Sequence, residues 1–416
     1  MRPFAPARNL LQYYCFRSVL PKVPAMASPT APEHRPRVQV ETPAPPVWKG
    51  NAGQFAIFVG ARLVSFPGSF VRLTGMSIAE IPRVDTARLF DKYGRQITDL
   101  RIAVTDRCNY RCVYCRTGHE GAQFPELPFE TYLRIVRVFV SLGIEKIRLT
   151  GGEPLLRGGI VGFVRQLSQL RTASGKKLDL AITTNGHLLA EMAQPLKDAG
   201  LSRVTVSMDA VDAEKFARIT RVPSGYENVR AGIRASKRAG LEPVKVNAVL
   251  LRGFNEDQIV EFGKLAREED VVVRFIEFMP LEEDRVWTPE VVITLDEIVR
   301  TMSEQFMPLV EIAHARSETA RRYKFADGVG EIGIIAPVSL PFCGQCSRIR
   351  VTSDGKIRTC LFSVIEHDLY QRVRRGDDDE QLRDYIRGVV VQKEARHHIG
   401  EPDFVPASRT MVHIGG

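Results

Sequence analysis

Six of the seven cysteines in this 416-residue chain fall into two trios, Cys108, Cys112 and Cys115, and Cys343, Cys346 and Cys360. The spacings, C-x3-C-x2-C and C-x2-C-x13-C, are those of metal ligands rather than of a disulfide ladder. Clustered thiols in so large a chain point to a reducing compartment. Cys15 stands apart from both trios. Thiolates are the usual ligands of a 4Fe–4S cluster, which takes four of them. A trio leaves one iron without a protein ligand and open to a small molecule. Zinc is the competing reading for each: His119 would complete a Cys3His set at the first trio. At the second, neither His314 nor His367 has convincing spacing, and a structural zinc stays open there.

Other residues with chemical potential cluster near the thiols. Gly151-Gly152-Glu153-Pro154 follows a strand-like run. Its glycines allow a ligand to approach the backbone closely, and the Glu153 carboxylate can pair with an ammonium group. Arg348-Ile349-Arg350 follows Cys346; in an extended chain both guanidiniums share one face, and arginine forks suit phosphate. A solvated strand face is the alternative. The chain ends on Gly415-Gly416, which in most proteins is only a flexible end.

These residues need a scaffold, and the hydrophobic pattern supplies one. β-Branched runs at Leu100–Thr105, Lys146–Thr150, Leu178–Thr184, Arg203–Met208, Val244–Leu250 and Val271–Phe278 predict six strands. Between them apolar residues recur at helical spacing, as in Tyr132, Ile135, Val136, Phe139 and Val140, or Ile160, Phe163, Val164 and Leu167. Alternating strands and helices imply right-handed crossovers and a parallel sheet. Periodicity does not separate an open doubly wound sheet from a partial barrel, though the even repetition favours the barrel. In a barrel, the loop carrying the first trio leaves the carboxyl end of strand one, where active sites are built. After Pro280 the pattern loosens, giving an expected division into 76–280 and 281–416.

Residues 1–75 read differently, with 11 of the 25 prolines and nine Lys or Arg against Glu33 and Glu41. They predict an unstructured extension, either a basic organellar transit peptide or a stretch upstream of a true start at Met76. They also hold seven of the nine net positive charges. The remainder is nearly neutral, which argues against a nucleic-acid partner. No apolar run reaches the roughly 18–20 residues of a membrane-spanning helix.

The first trio with Tyr114 before its last cysteine, together with Gly151-Gly152-Glu153-Pro154, resembles the radical S-adenosylmethionine superfamily. The resemblance implies an incomplete (βα)6 TIM-type barrel with a C-terminal extension carrying a second cluster. It also implies that S-adenosylmethionine chelates the open iron and is cleaved to a 5′-deoxyadenosyl radical, with Tyr114, Gly151, Gly152, Glu153, Ser207 and Met279 lining that cofactor. From about Leu89 to Gly416 the chain is more specifically similar to the GTP 3′,8-cyclase family of molybdenum cofactor biosynthesis. The match includes Leu100-Arg101-Ile102, Lys146-Ile147-Arg148, Thr183-Thr184-Asn185-Gly186, Val244-Lys245-Val246-Asn247 and Arg274-Phe275-Ile276-Glu277. Arg116-Thr117 and Ser347 depart from the family's usual residues without removing a ligand.

That resemblance implies two 4Fe–4S clusters and a lyase that cyclises GTP. The GTP contacts fall on Arg101, Arg148, Thr183, Lys245, Arg348, Ile349 and Arg350, and Gly415-Gly416 folds back to support catalysis. It further implies an external electron donor, product transfer to cyclic pyranopterin monophosphate synthase, and a bacterial cytoplasmic enzyme, or a mitochondrial matrix one if the extension is a transit peptide. It is compatible with a homodimer. The competing functions are a peptide- or RNA-modifying radical enzyme and a zinc-binding interaction protein.

Overall fold

A computed structural model describes residues 88–115, 121–283, 285, 287–315 and 317–415 of the chain. Cys15, Met76, Arg116-Thr117, His119 and Gly416, and the expected extension 1–75, lie outside the described residues.

Six strands appear within two residues of where the sequence predicts them. They are β1 (Asp99–Ala103), β2 (Lys146–Thr150), β3 (Asp179–Thr184), β4 (Arg203–Ser207), β5 (Lys245–Leu250) and β6 (Val272–Glu277). All six are parallel and neighbour one another in chain order. Helices α1 (Phe129–Ser141), α2 (Ile160–Ser168), α3 (Leu189–Asp198), α4 (Ala213–Thr220), α5 (Gly225–Arg238), α6 (Ile259–Glu268) and α7 (Leu295–Gln305) form the crossovers. The apolar stripes read from sequence are their buried faces: Tyr132, Ile135, Val136 and Phe139 in α1, and Ile160, Phe163, Val164 and Leu167 in α2.

The C-terminal region adds β7 (Leu309–Ile312), β8 (Arg321–Phe325), β9 (Glu331–Ile335), β10 (Arg348–Val351), β11 (Lys356–Arg358) and β12 (His367–Asp368). β9 pairs parallel with β6 and β10 parallel with β1, so the sheet runs across the expected division at 280–281. β7 and β8 continue antiparallel beyond β9, as β11 and β12 do beyond β10, giving one twelve-stranded sheet. Helices α8 (Leu369–Arg374), α9 (Asp379–Val391) and α10 (Met411–Ile414) complete the chain.

Strict alternation divides the two faces of the sheet. One face is apolar and buried under the helices, with Leu100, Ile102, Ile147, Leu149, Ile182, Val204, Val246, Val273, Ile332 and Ile349 almost fully covered. The other face turns Arg101, Arg148, Thr183, Lys245, Arg274, Gly333 and Arg350 toward a single cavity. Side chains from β10 through β6 to β9 meet around one space only if the sheet curls, which makes this a partial barrel rather than an open sheet.

Close helix packing on the outer layer depends on Gly232. A Cβ there would stand 2.8 Å from the Gly186 carbonyl oxygen and 2.9 Å from the Leu189 Cβ, between α5 and α3. Gly232→Val should cost about 1–3 kcal/mol through overpacking, read as a lower melting temperature with the iron content per folded chain unchanged.

Candidate active site

The mouth of the barrel is assembled by backbone contact between two loops. After β1, Thr105 and Arg107 offer carbonyls that accept from the amides of Gly152 (2.9 Å) and Glu153 (2.7 Å). A Cβ at Gly151 would lie 2.2 Å from the Thr105 oxygen, and one at Gly152 would lie 2.3 Å from the Arg107 oxygen. Only glycine allows this approach, so the double glycine seats the loop that carries the first thiol trio. Cys108, Cys112 and Cys115 open into the cavity beside Tyr114, Gly151, Gly152, Ser207 and Met279. Burial, then Asp209 and the two neighbouring cysteines, raise the Cys112 thiol well above its ordinary value.

Two buried carboxylates hold this mouth. Glu153 is fully covered, and its oxygens accept from the Leu155 amide (2.9 Å), the Thr184 hydroxyl (2.8 Å) and the Asn185 amide (2.6 Å). Burial pushes its pKa up to about 7. Its side chain is turned inward, where it clamps the glycine loop to the end of β3. Asp209 accepts from the Tyr114 hydroxyl at 2.7 Å and from the Val249 amide at 2.8 Å, and burial raises it to about 6. Tyr114 thus lines the cavity with its hydroxyl already engaged. Asn185 donates to Asn109 at 2.7 Å and approaches the Cys108 sulfur at 3.9 Å. Asp209 is not singled out by the sequence, since a lone residue after a strand carries no spacing signal, and Asn185 enters there only as part of the Thr183–Gly186 run.

Below the thiols, the inward face of the strands is a band of cations around a cavity of about 460 Å³. Arg148 donates to the hydroxyls of Thr183 (3.0 Å) and Thr205 (3.1 Å), and Arg274 donates to Asn247 (2.9 Å). Burial lowers Arg101, Arg148, Arg274 and Arg350, and neighbouring guanidiniums lower each of them further. Lys245 is brought down to about 8 by burial and by Arg274 and Arg203. Thr183 and Arg348 line the same space. Lys146, Arg203 and Arg274 belong to the band although the sequence reading assigned them no role. Alternation alone finds Lys146, two residues before Arg148, and register finds Arg274, opposite Asn247 and Gly333. A Cβ at Gly333 would stand 2.9 Å from the Arg274 Cγ, so this glycine makes room for the arginine. The Ile349 side chain faces away from this band. It is 2% exposed on the outward apolar face, because neighbours along a strand point to opposite sides.

The second trio lies at the other end of the bore. Cys343 and Cys346 precede β10, and Cys360 follows β11, which returns antiparallel beside it. The first trio follows β1, the parallel neighbour of β10. The two trios are therefore separated by about one strand length, roughly 15 Å at 3.3 Å per residue. The cavity reaches Phe342 and Leu361, each adjacent in sequence to a second-trio cysteine. After burial, Arg101 and Arg348, the groups acting on the Arg350 guanidinium are Cys360 and Cys346. Burial raises Cys343 and Cys360, whereas Arg348 and Lys393 overcome it at Cys346 and bring that thiol to about 6.

Among the described residues, the group of three whose ligand atoms lie within 4.8 Å of one another is the surface set His398, Glu401 and Asp403, not either cysteine trio. Zinc at 2.3 Å from each sulfur would draw a trio tighter than that. Thiolates on different irons of a cube stand further apart, so a spacing wider than 4.8 Å is compatible with a cluster.

The C-terminal tail closes the bore. Gly415 adopts φ +79° with its Cβ position 2.2 Å from the Thr150 hydroxyl oxygen, and its carbonyl accepts from Arg350. Arg409 holds the tail by donating to Asp354 (2.9 and 2.8 Å) and Glu366 (2.8 Å).

A curled parallel sheet with a thiol trio and a double-glycine loop at its carboxyl mouth defines a radical S-adenosylmethionine partial barrel. Residues 102–266 match the Radical SAM superfamily, and residues 271–399 match the family described as Molybdenum Cofactor Synthesis C. Streptococcus suis SuiB, bound to precursor peptide SuiA, shares the fold, with a TM-score of 0.52, 13% identity, and coverage of 76% of this chain and 77% of that one. The GTP 3′,8-cyclase of Rhodopirellula baltica is 40% identical over 356 residues, spanning 83% of this chain and 98% of the relative. That of Mycolicibacterium smegmatis is 42% identical over 339 residues, spanning 79% and 92%. The chain belongs to the GTP 3′,8-cyclase family, whose members use S-adenosylmethionine and 4Fe–4S clusters.

Two outcomes follow from this geometry. Above pH 8 the Lys245 ammonium loses its proton in the free protein, and an anion binding beside it restores the charge. The KM for a nucleoside triphosphate should rise as pH passes through about 8, and Lys245→Arg should flatten that rise. Gly415→Ala places a methyl against Thr150 at a left-handed φ. Nucleotide turnover should fall at least ~10-fold, equivalent to about 1.4 kcal/mol, while S-adenosylmethionine cleavage persists.

Proposed function

We propose that this chain is a GTP 3′,8-cyclase, converting GTP to (8S)-3′,8-cyclo-7,8-dihydroguanosine 5′-triphosphate in the first step of molybdenum cofactor biosynthesis. The observation that carries it is the cationic band between two thiol trios: a site for one compact polyanion flanked by two places for a cluster.

When bound, the first cluster and S-adenosylmethionine would supply a radical able to take the hydrogen atom from C3′ of GTP, and one electron and one proton from outside would complete the C3′–C8 bond of the dihydro product. The residues of this chain do the positioning. Cys108, Cys112 and Cys115 hold the first cluster, on a loop seated by Gly151 and Gly152. Tyr114, Ser207 and Met279 line the S-adenosylmethionine space. Arg101, Arg148, Lys245, Arg274, Arg348 and Arg350 hold the triphosphate, and Thr183 orients the Arg148 fork. Cys343, Cys346 and Cys360 would hold the second cluster, which would supply a coordination site for the substrate. Orientation of this kind contributes more than acid–base chemistry, consistent with buried carboxylates that act as anchors. Residues 281–416 work as the part that brings the second cluster and the tail to the barrel.

An external reductant delivers electrons, and the product passes to a cyclic pyranopterin monophosphate synthase in a reducing compartment, the bacterial cytoplasm on this reading. Among the described residues no helix is long and apolar enough to cross a membrane.

Anaerobically reconstituted protein should carry about eight irons, cleave S-adenosylmethionine and yield the cyclised nucleotide from GTP. Cys112→Ser should abolish the cleavage. Full cleavage by that variant, or turnover of a peptide or RNA in place of GTP, would reject the assignment.

A further inference from the structure

The second trio is fastened to the protein through one turn, Lys393 to Ala395, just beyond α9. Arg95 is 8% exposed, with its Nε paired to Asp91 at 2.5 Å. It donates to the carbonyls of Cys343 (2.7 Å), Ala395 (2.9 Å) and Glu394 (2.5 Å). The Lys393 Nζ donates to the Arg348 carbonyl at 3.0 Å and to the Thr359 carbonyl. The Glu394 carboxylate accepts from the Thr359 hydroxyl at 2.7 Å. Arg348 stands two residues after Cys346, and Thr359 immediately precedes Cys360. All three ligating segments therefore meet at this turn.

Lys393 itself is 3% exposed. Among the described residues no carboxylate oxygen comes within the 4.0 Å of an ion pair with its ammonium. Both of its acceptors are neutral carbonyls. Burying an ammonium without a counter-charge costs several kcal/mol, so the chain must provide negative charge elsewhere. Both acceptors belong to segments that carry ligands of the second trio, so a cluster held there by thiolates would place negative charge beside the ammonium.

We propose that Lys393 is the charge partner of the second cluster: its buried ammonium balances the thiolate-ligated group while its hydrogen bonds fix the segments that carry the ligands. This rests on the reading that the second trio holds a 4Fe–4S cluster. Net charge and hydrogen bonding near the sulfurs set a cluster's potential and retention, so Lys393 is a positioning and tuning residue. It touches neither the nucleotide nor S-adenosylmethionine.

Lys393→Gln removes the charge while keeping a hydrogen-bond donor. In the fully loaded protein it should shift the second cluster's midpoint potential to more negative values and change its electron paramagnetic resonance signature. A chelator should strip the second cluster about 10-fold faster, as for other partners behind metal ligands. Introduced into Cys360→Ser, which lacks a ligand for that cluster, the same change should leave the melting temperature unlowered. An unchanged potential and stripping rate in an eight-iron protein would overturn the proposal. So would an equal loss of melting temperature with and without the second cluster, which would make Lys393 a hydrogen-bonding residue alone. Zinc at the second trio of the unmodified protein would instead remove the cluster reading on which the proposal stands.

Discussion

Like charges packed inside a barrel are the constraint around which this molecule is organised. Arg101, Arg148, Lys245, Arg274, Arg348 and Arg350 face one cavity, and most of them are lowered by burial and by each other. A pair of such charges at 4 Å repels by about 4 kcal/mol at an effective dielectric constant of 20. Threonine hydroxyls, the Asn247 amide and the Asp99 and Glu318 carboxylates soften that repulsion without cancelling it. Cancellation needs an anion of several charges, which a triphosphate is. The apolar outer face makes the arrangement tolerable, because helices packed over Leu100, Val204 and Phe275 hold the strands in place. Stability is concentrated on one side of the sheet and recognition on the other.

Buried acids have an unexpected division of labour here. Glu153 ties the glycine loop to β3, and Asp209 ties Tyr114 to β5. Glu277, fully covered, accepts from the amides of Leu295, Val338 and Ser339 at 2.9 Å each. Each carboxylate sits at the carboxyl end of a strand or in the loop just after one and gathers backbone donors from loops that would otherwise move independently. Hydrogen bonds to charged groups contribute about 1.5–3 kcal/mol each, enough to rigidify the mouth of a barrel. A site whose chemistry is radical generation needs this fixed geometry more than it needs a proton shuttle.

Much of this was legible from residue order, and the exceptions share a cause. The six strands, the helical stripes and both thiol trios were visible because period and spacing are local properties. The direction of the Glu153 side chain was not, since a carboxylate after two glycines can point either to a ligand or back to its own loop. Only the positions of Leu155, Thr184 and Asn185 decide between them. Ile349 lies between two site arginines and so shares their motif, yet alternation sends it to the opposite face. Arg274 and Lys146 were within reach of the same alternation, had it been extended from Arg148 and Lys245 across the strand register. The turn at Lys393 carried no signal, because its meaning comes from three segments that meet only in the folded chain.

The placement of the trios on neighbouring strands bears on the proposal that one substrate engages both. β1 leads out to the first trio and β10 begins just after the second, and the two pair in parallel from Asp99 and Arg348 onward. The distance between the trios is then a property of strand length, which the hydrogen-bond ladder keeps constant, rather than of loops that flex. A nucleotide can be held at its base from one end and be attacked at its ribose from the other only if that distance is constant. The C-terminal tail enters the same space: Arg350 donates to the Gly415 carbonyl while belonging to the cationic band. One guanidinium therefore stands in the cationic band and holds the tail at the same time.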